Sequence, residues 1–398
     1  MAHQTRDHNL RLKGILSNAL AGTAPGREDI VFLLSLSDED SISMLFDTAR
    51  QIRSRHFGNR VFLYGFLYFS TECKNDCLFC KYRRSNRSLI RYRKSPEEIL
   101  EAAEAMAASG VHLIDLTMGE SAFFHNRGDL GFKALVDLTK GIKRAAGLPL
   151  MISPGVVPEK TLAELAAAGA DWYACYQETY NRELFSTLRL DQSFDRRMEA
   201  KKTAGSLGML VEEGLLLGMG ETLDDVGDAV MAMQALDVDQ ARVMTFRPQA
   251  GTPMELLHSP DALGELMVIA VLRLVLPDRL IPASLDVDGL AGLGQRLDAG
   301  ANVVTSLVVP GQGLAGVAHQ TLDIEGSRRT PRAIGPVLEA RSLKPASRND
   351  YLTWMASTRN GHAGGLPWPD NLSSPDLFPD LEKIAPGGED RPFVQMEN

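Results

Sequence analysis

The residues whose types and spacing point most directly to chemistry are Cys73, Cys77 and Cys80, in the run Cys73-Lys-Asn-Asp-Cys77-Leu-Phe-Cys80. Three thiolates at C-x3-C-x2-C spacing can close on one face of an iron–sulfur cluster. A 4Fe–4S cluster takes four ligands, so three from protein leave one iron open to another molecule. Zinc is the competing reading. It wants a fourth ligand, and the candidates His56 and His112 lack a zinc-motif spacing from the cysteines. Disulfides within so short a stretch would close trivial loops and stabilise little. With only four cysteines in the chain, the cluster of three therefore signals metal binding or reactivity rather than a staple. Cys175, on an expected strand, reads as an inert buried thiol.

The elements that must position these groups follow from periodicity. Residues 1–59 read as a helical extension, with Ser37 and Ser41 as candidate caps before the amphipathic run from Ile42 to Arg53. The first strand is expected at Val61–Ser70, β-branched and aromatic. The next helix starts with Ser95 as cap, Pro96 in the first turn and Glu98 completing a capping box, and stops at Gly110. Short apolar runs follow at Val111–Leu116, Leu148–Ser153, Trp172–Gln177, Val211–Leu217, Arg242–Phe246, Leu280–Asp286 and Asn302–Val308. Helical stretches lie between them, such as Pro158–Ala168, Phe194–Leu207, Leu223–Ala235 and Leu263–Leu274. Strict alternation predicts a parallel sheet. With the first strand, the α/β pattern fits a (βα)8 barrel over 60–345, an open doubly wound sheet being the alternative. Residues 346–398 read as a tail, partly irregular. Gly361 to Gly388 is rich in glycine, proline, serine and aspartate, although Trp368, Leu377 and Phe378 could dock on the barrel.

The chain has 398 residues and a formal charge of −9. That excess of acid gives no general attraction to nucleic acid or anionic membrane. No apolar run reaches the roughly 18 residues of a membrane span. The N-terminus also carries no signal-peptide core, so a cytoplasmic location is expected. Two further features each carry two readings. Gly214, Gly218 and Gly220 suit a tight strand-to-helix turn or a nucleotide site. Lys81, Arg83, Arg84, Arg87, Arg91 and Arg93 suit a solvated loop, shielding the cluster or meeting an electron donor, or a nucleic-acid patch, and on an acidic chain the solvated loop is preferred.

The cysteine triplet, with aromatic Phe79 before its last member and directly after a barrel's first strand, resembles the radical S-adenosylmethionine (SAM) enzymes. Longer stretches resemble one branch of them, the 3-methylornithine synthases, relatives of biotin synthase and of a hydrogenase maturase. These include Phe57–Leu63, Tyr68–Cys77, Asp115-Leu-Thr-Met-Gly-Glu120, Met151–Gly155, Tyr176–Tyr180, Gln192–Asp195, Arg242–Phe246, Ile281–Asp286 and Ala299–Ser306. The likeness covers roughly residues 25–345 and departs around Arg83–Ser88, at Ser121–Asp129 and after 345. It implies SAM chelating the open iron, and reductive cleavage to methionine and a 5′-deoxyadenosyl radical. It implies L-lysine as substrate, isomerised to (3R)-3-methyl-D-ornithine by Cα–Cβ fragmentation and recombination, with an unidentified electron donor as partner. Another amino acid or a thioether as substrate is the nearest alternative, and a non-catalytic iron–sulfur carrier is the alternative of a different class.

The resemblance also implies roles. Glu178 and Arg197 would hold the methionine part of SAM, with Arg196 as the adjacent alternative to Arg197, and Ser153 would hydrogen-bond SAM. A carboxylate can accept from an α-ammonium, and a guanidinium can grip a carboxylate in a fork. Asp115, Arg242, Ser284 and Asp286 are the candidates for an amino acid with two ammonium groups and one carboxylate, with Thr305 and Ser306 as further contacts. Working groups of barrel enzymes sit at strand C-terminal ends, where these residues fall. A structural salt bridge inside the barrel is the plain alternative, because buried charges must be paired. No residue is assigned to the chemical step itself, whose radical comes from SAM.

Overall fold

The structure is a computed structural model, and it describes residues 2–309 and 329–363. Nine strands occur among them: β1 Arg60–Tyr68, β2 Leu113–Thr117, β3 Leu150–Ile152, β4 Trp172–Ala174, β5 Leu210–Leu217, β6 Gln240–Thr245, β7 Pro282–Ser284, β8 Val303–Leu307 and β9 Lys344–Pro345. The helices before the first loop crossing are α1 Ala2–Leu20, α2 Arg27–Leu34 and α3 Glu39–Phe57, so the N-terminal region is helical as its pattern predicts. The helices of the alternating part are α4 Pro96–Ala108, α5 Ala122–His125, α6 Gly128–Ala146, α7 Glu159–Ala167, α8 Arg182–Leu188, α9 Phe194–Ser206, α10 Leu223–Ala235, α11 Leu263–Val275 and α12 Gly289–Asp298. They are followed by α13 Pro331–Glu339 and α14 Arg348–Ala363.

The strands run in the order β6-β5-β4-β3-β2-β1-β8-β7, all parallel. The ring closes between β6 and β7 through a single bridge, Gln240 to Leu280, at the N-terminal end of both strands. There Ala241 N–H donates to Leu280 O and Leu280 N–H to Asp239 O, each at 3.0 Å. The barrel is thus laced shut at its bottom and left open between β6 and β7 toward the top. A doubly wound sheet is excluded.

Local chemistry explains the element starts. Ser95 and Glu98 form the expected capping box on α4. At α3 the expectation of Ser37 or Ser41 as cap is corrected: Asp38 caps it, its carboxylate accepting from Ser41 N–H at 2.9 Å. Asp38 sits three residues before Ser41, where the side chain reaches the orphan amide; Ser41 supplies the amide instead.

The bottom of the barrel is filled by α14, which lies in the segment read from sequence as tail. Ser347 and Asp350 cap its start, Ser347 Oγ donating to Asp350 Oδ2 at 2.7 Å and accepting from Asp350 N–H at 3.1 Å. Tyr351 is fully buried against Phe57, Phe62, Tyr64 and Trp172. Its hydroxyl meets that of Tyr64 at 2.8 Å, and Trp354 stacks on Trp172 with centroids 5.9 Å apart. The connection is tied down by β9 on β1 and by His112, whose Nδ1 accepts from Leu63 N–H (2.8 Å) while Nε2 faces Ala346 O (2.9 Å). Residues 364–398, with Trp368, Leu377 and Phe378, lie outside the described residues. Among the described residues no helix is long and apolar enough to cross a membrane.

Candidate active site

The loop after β1 carries Cys73, Cys77 and Cys80 over the top of the barrel. Its shape is set by polar pins. Asp76 accepts from Arg83 Nε (2.8 Å) and Ser85 Oγ (2.7 Å), which hold its carboxyl down to about 2. Arg91 donates to the carbonyls of Thr71, Tyr82 (2.9 Å), Arg83 (2.5 Å) and Asn86 (3.2 Å). Asn86 Nδ2 bridges Lys81 O and Ala250 O. The preferred reading of this basic stretch as a solvated loop is therefore corrected. Lys81 and Arg83 are buried, Arg91 knits the loop, and Arg93 lies 3.5 Å over the ring of Phe123. Only guanidinium groups have enough donors to satisfy so many carbonyls at once.

The three cysteines line one cavity of about 250 Å³. Burial pushes the Cys73 thiol up to about 11, and burial followed by the neighbouring Cys77 and Cys73 pushes Cys80 up, so the thiols lie within electrostatic reach of one another. Gly119 backs them: a Cβ there would stand 2.8 Å from Cys73 Cβ and 3.0 Å from Glu72 O. The histidines of the zinc reading are elsewhere, His112 with both nitrogens engaged at the barrel floor. Among the described residues no three metal-ligating side chains gather as for a single ion. Thiols spread around a cavity suit a larger inorganic body. Cys175 also lines the cavity, beside the thiol-bearing loop rather than on it, and is 2% exposed.

Ser153, Glu178 and Arg197 all line the same cavity. Arg197 donates to Tyr176 O at 2.6 Å and lies 3.6 Å from Glu120, whereas Arg196 is exposed on the outer side of α9. Nε of Arg197 is buried with no partner. Glu178 sits at φ 68°, in the left-handed region that a glutamate rarely occupies. Its backbone pairs with Gly214 O (2.9 Å) and Leu216 N–H (3.1 Å), which holds the strained residue in place, and its carboxylate accepts from Arg189 at 2.9 Å. Burial raises the Glu178 carboxyl, with Arg189 and Arg197 acting the other way.

Asp115, Arg242 and Asp286 line the same cavity. Asp115 accepts from Ser153 Oγ at 3.1 Å, and burial, then the nearby Glu212 charge, push it up to about 7. Arg242 donates through Nε to fully buried Glu212 (2.8 Å) and through NH1 to Thr305 Oγ1 (3.0 Å). Glu212 in turn accepts from Tyr176 OH (2.8 Å) and Gln240 Nε2 (2.5 Å). Asp286 accepts from Tyr68 OH (3.0 Å), Ser306 Oγ (2.6 Å) and the buried Arg329 (2.8 Å).

Ser284, Thr305 and Ser306 are buried but do not line this cavity; they act on its walls instead. Ser284 Oγ accepts from Asp286 N–H at 3.3 Å. Thr305 and Ser306 are neighbours, yet both reach groups inside the barrel. Strand alternation forbids that. A bulge allows it: between β1 and β8 the register steps from Leu63–Val304 to Gly65–Leu307, and Ser306 has φ 65°.

Sequence reasoning missed Glu120, Arg189, Glu212 and Arg329. The pair Glu212-Glu213 within an apolar strand was the readable signal, since both are fully buried. Glu212 faces inward to Arg242; Glu213 faces outward, pairing with buried Lys201 of α9 and accepting from Gln177 N–H at 2.6 Å. Gly218 and Gly220 follow the turn reading, whereas Gly214 lies within β5, paired with Arg242. Gly218 and Gly220 take φ 92° and 116°, and Glu221 accepts from Gly218 N–H and Met219 N–H.

Comparison with known proteins agrees with this architecture. The profile of the Radical SAM superfamily matches residues 67–232. A 3-methylornithine synthase of Methanosarcina acetivorans is 43% identical over 326 residues, covering 82% of this chain and 92% of the relative. The [FeFe] hydrogenase maturase subunit HydE of Thermotoga maritima is 32% identical over 281 residues, covering 70% and 79%. Among solved structures, a crystal structure of methylornithine synthase (PylB) superposes with a TM-score of 0.81 at 41% identity, covering 85% of this chain and 99% of that one.

Proposed function

Because this chain belongs to the 3-methylornithine synthase family of radical SAM enzymes, we propose that it converts L-lysine to (3R)-3-methyl-D-ornithine, the first step of pyrrolysine biosynthesis. The family's cofactors are a 4Fe–4S cluster and SAM. The site suits both: three thiols lining one cavity, a residue without Cβ behind Cys73, and an unpartnered buried Nε on Arg197. Bound there, they would supply, on one-electron reduction, a 5′-deoxyadenosyl radical for abstracting a hydrogen atom from C4 of lysine.

The chain's own residues bind, orient and enclose. Cys73, Cys77 and Cys80 would hold the cluster. Glu178 would accept from the α-ammonium of SAM, Arg197 would grip its carboxylate, and Ser153 would donate a hydrogen bond to it. Asp115 and Asp286 would take the two ammonium groups of lysine, and Arg242, held rigid by Glu212 and Thr305, would face the lysine carboxylate. Cleavage of Cα–Cβ in lysine leaves a glycyl-type fragment and an aminobutene. Rejoining them at the internal alkene carbon leaves a carbon radical, to which the abstracted hydrogen would return from 5′-deoxyadenosine, and it requires that neither fragment leave the cavity. An unidentified one-electron donor is the implied partner. The cytoplasm is the proposed location, where reducing conditions keep clustered thiols free.

The observation that carries this reading is the meeting of Asp115, Arg242 and Asp286 in the same cavity as the three cysteines. Asp286 is already paired with Arg329, which favours, as a second reading, a substrate with a single ammonium group. Anaerobic reconstitution, then incubation with SAM, reductant and L-lysine, separates these. The proposed function predicts a product of unchanged mass that co-elutes with 3-methylornithine and has D configuration at C2. SAM cleavage with lysine left intact would favour the second reading, and no SAM cleavage would leave an iron–sulfur carrier.

A further inference from the structure

Arg189 is an unexpected group to find against the cysteine loop. It directly follows α8, and Leu188 O accepts from Leu78 N–H at 2.9 Å, which joins the end of α8 to the cysteine loop. The Arg189 side chain is 8% exposed and lines the cavity. One guanidinium nitrogen lies 3.8 Å from Cys77 Sγ. The other donates to Glu178 Oε1 (2.9 Å) and Tyr176 O (3.2 Å). Its plane is flanked by Phe79 at 5.3 Å and Phe185 at 6.0 Å. Gln192 adds a second donor to the same sulfur, Nε2 to Cys77 Sγ at 3.0 Å, while its Oε1 faces Arg189 NH1 at 3.3 Å.

We propose that Arg189, with Gln192, is a positioning residue that ties the cluster ligand Cys77 to the SAM-facing carboxylate of Glu178, so that one buried cation both raises the cluster's reduction potential and keeps Glu178 ionised and aimed. The inference rests on the reading of Cys77 and Glu178 as cluster and SAM residues. Reduction adds negative charge to a cluster, and that charge spreads onto its cysteine sulfurs. Donors and a nearby cation at one sulfur stabilise the reduced form more than the oxidised form and move the potential upward. The same guanidinium compensates the buried Glu178 charge, which would otherwise favour the protonated, non-accepting form. Only a planar fork reaches both partners together; a lysine reaches one at a time.

The test uses the anaerobically reconstituted full chain and three variants, Arg189→Met, Arg189→Lys and Gln192→Leu. Iron content, midpoint potential from a redox titration followed by electron paramagnetic resonance, and SAM affinity are read for each. Full iron content with a more negative potential is expected for Arg189→Met and Gln192→Leu. SAM affinity should fall at least tenfold in Arg189→Met. Arg189→Lys should restore part of the potential and none of the SAM affinity. A wild-type potential in both Arg189→Met and Gln192→Leu at full iron content overturns the proposal. If Arg189→Met does not fold, Gln192→Leu decides the potential and Arg189→Lys the affinity. A wild-type chain that assembles no cluster would instead remove the underlying reading, a result none of the variant outcomes can imitate.

Discussion

Two successive layers inside the barrel differ by one step of two residues along the same strands. The lower layer holds Tyr64, Leu113, Met151, Trp172 and Leu210, one apolar cluster sealed from below by Tyr351. Two residues on, the same inward faces present Phe66, Asp115, Ser153, Ala174 and Glu212, with Arg242 joining from β6 two residues after Gln240. Side chains two apart on a strand share a face, so the change from oil to charge is written in the strands themselves. The lower layer is apolar apart from a few polar atoms, of which the Tyr64 and Tyr351 hydroxyls meet each other. The upper layer carries charges that cost stability unless paired. It pays part of that cost internally through Glu212–Arg242 and Asp286–Arg329, and it leaves Asp115 with only a neutral partner among the described bonds, Ser153.

The largest expected effect falls on the rim of the upper layer. Cys77→Ala should abolish cluster assembly and SAM cleavage together, whereas Cys175→Ala, which removes a thiol from the same cavity, should keep both. Iron content and 5′-deoxyadenosine release after anaerobic reconstitution measure this, and a fully active Cys77→Ala protein would break the assignment.

Next in size is substrate binding. Losing one charged partner of a buried group costs about 2–5 kcal/mol, roughly 30- to 5,000-fold in affinity. Asp286→Asn should weaken lysine binding in that range and leave SAM binding unchanged, as read by anaerobic calorimetry with lysine titrated into the SAM-loaded enzyme. A drop in SAM affinity instead would assign Asp286 to the cofactor side.

The lower layer should respond in the opposite way. Tyr351→Ala removes a fully buried aromatic side chain and should cost about 3–5 kcal/mol of stability, with lysine and SAM affinities of the folded protein unchanged. Denaturant unfolding and calorimetry on one preparation check both halves. Weakened lysine binding at unchanged stability would mean that the floor shapes the site directly.

A finer contrast concerns pH. The Asp115 carboxyl stands at about 7 in the folded chain, above its unfolded value near 3.9. The folded chain therefore keeps a proton that the unfolded chain has released. This group lowers stability as the pH rises from about 4 to 7, and the penalty remains above that window. Asp115→Asn should stabilise the protein at pH 8 by up to roughly 4 kcal/mol, at 1.36 kcal/mol per unit, and change little at pH 4. Wild-type lysine affinity should climb through pH 7 as the carboxylate forms. An Asn variant with no pH-dependent gain in melting temperature would place the buried charge elsewhere.

Much of this contrast was legible from residues alone. The strands, the cysteine loop and the charges at strand ends were read because periodicity and residue type are local signals. Four features were not. The Thr305–Ser306 bulge and the left-handed Glu178 depend on pairing with β1 and β5, which no local run of residues encodes. The Glu212 partner of Arg242 was hidden within a strand that reads as apolar. The floor helix α14 lies in a segment whose composition reads as tail, although Ser347-Arg-Asn-Asp350 carries the spacing of a capping box.

The central claim, that the charged upper layer holds lysine with its C4 hydrogen facing the bound SAM, is tested most directly by lysine deuterated at C4. SAM-dependent transfer of deuterium from C4 into the 5′-deoxyadenosyl moiety is expected, with isomerised product in the same reaction. Deuterium that stays wholly in lysine while SAM is cleaved, or transfer from a different labelled carbon, would contradict it.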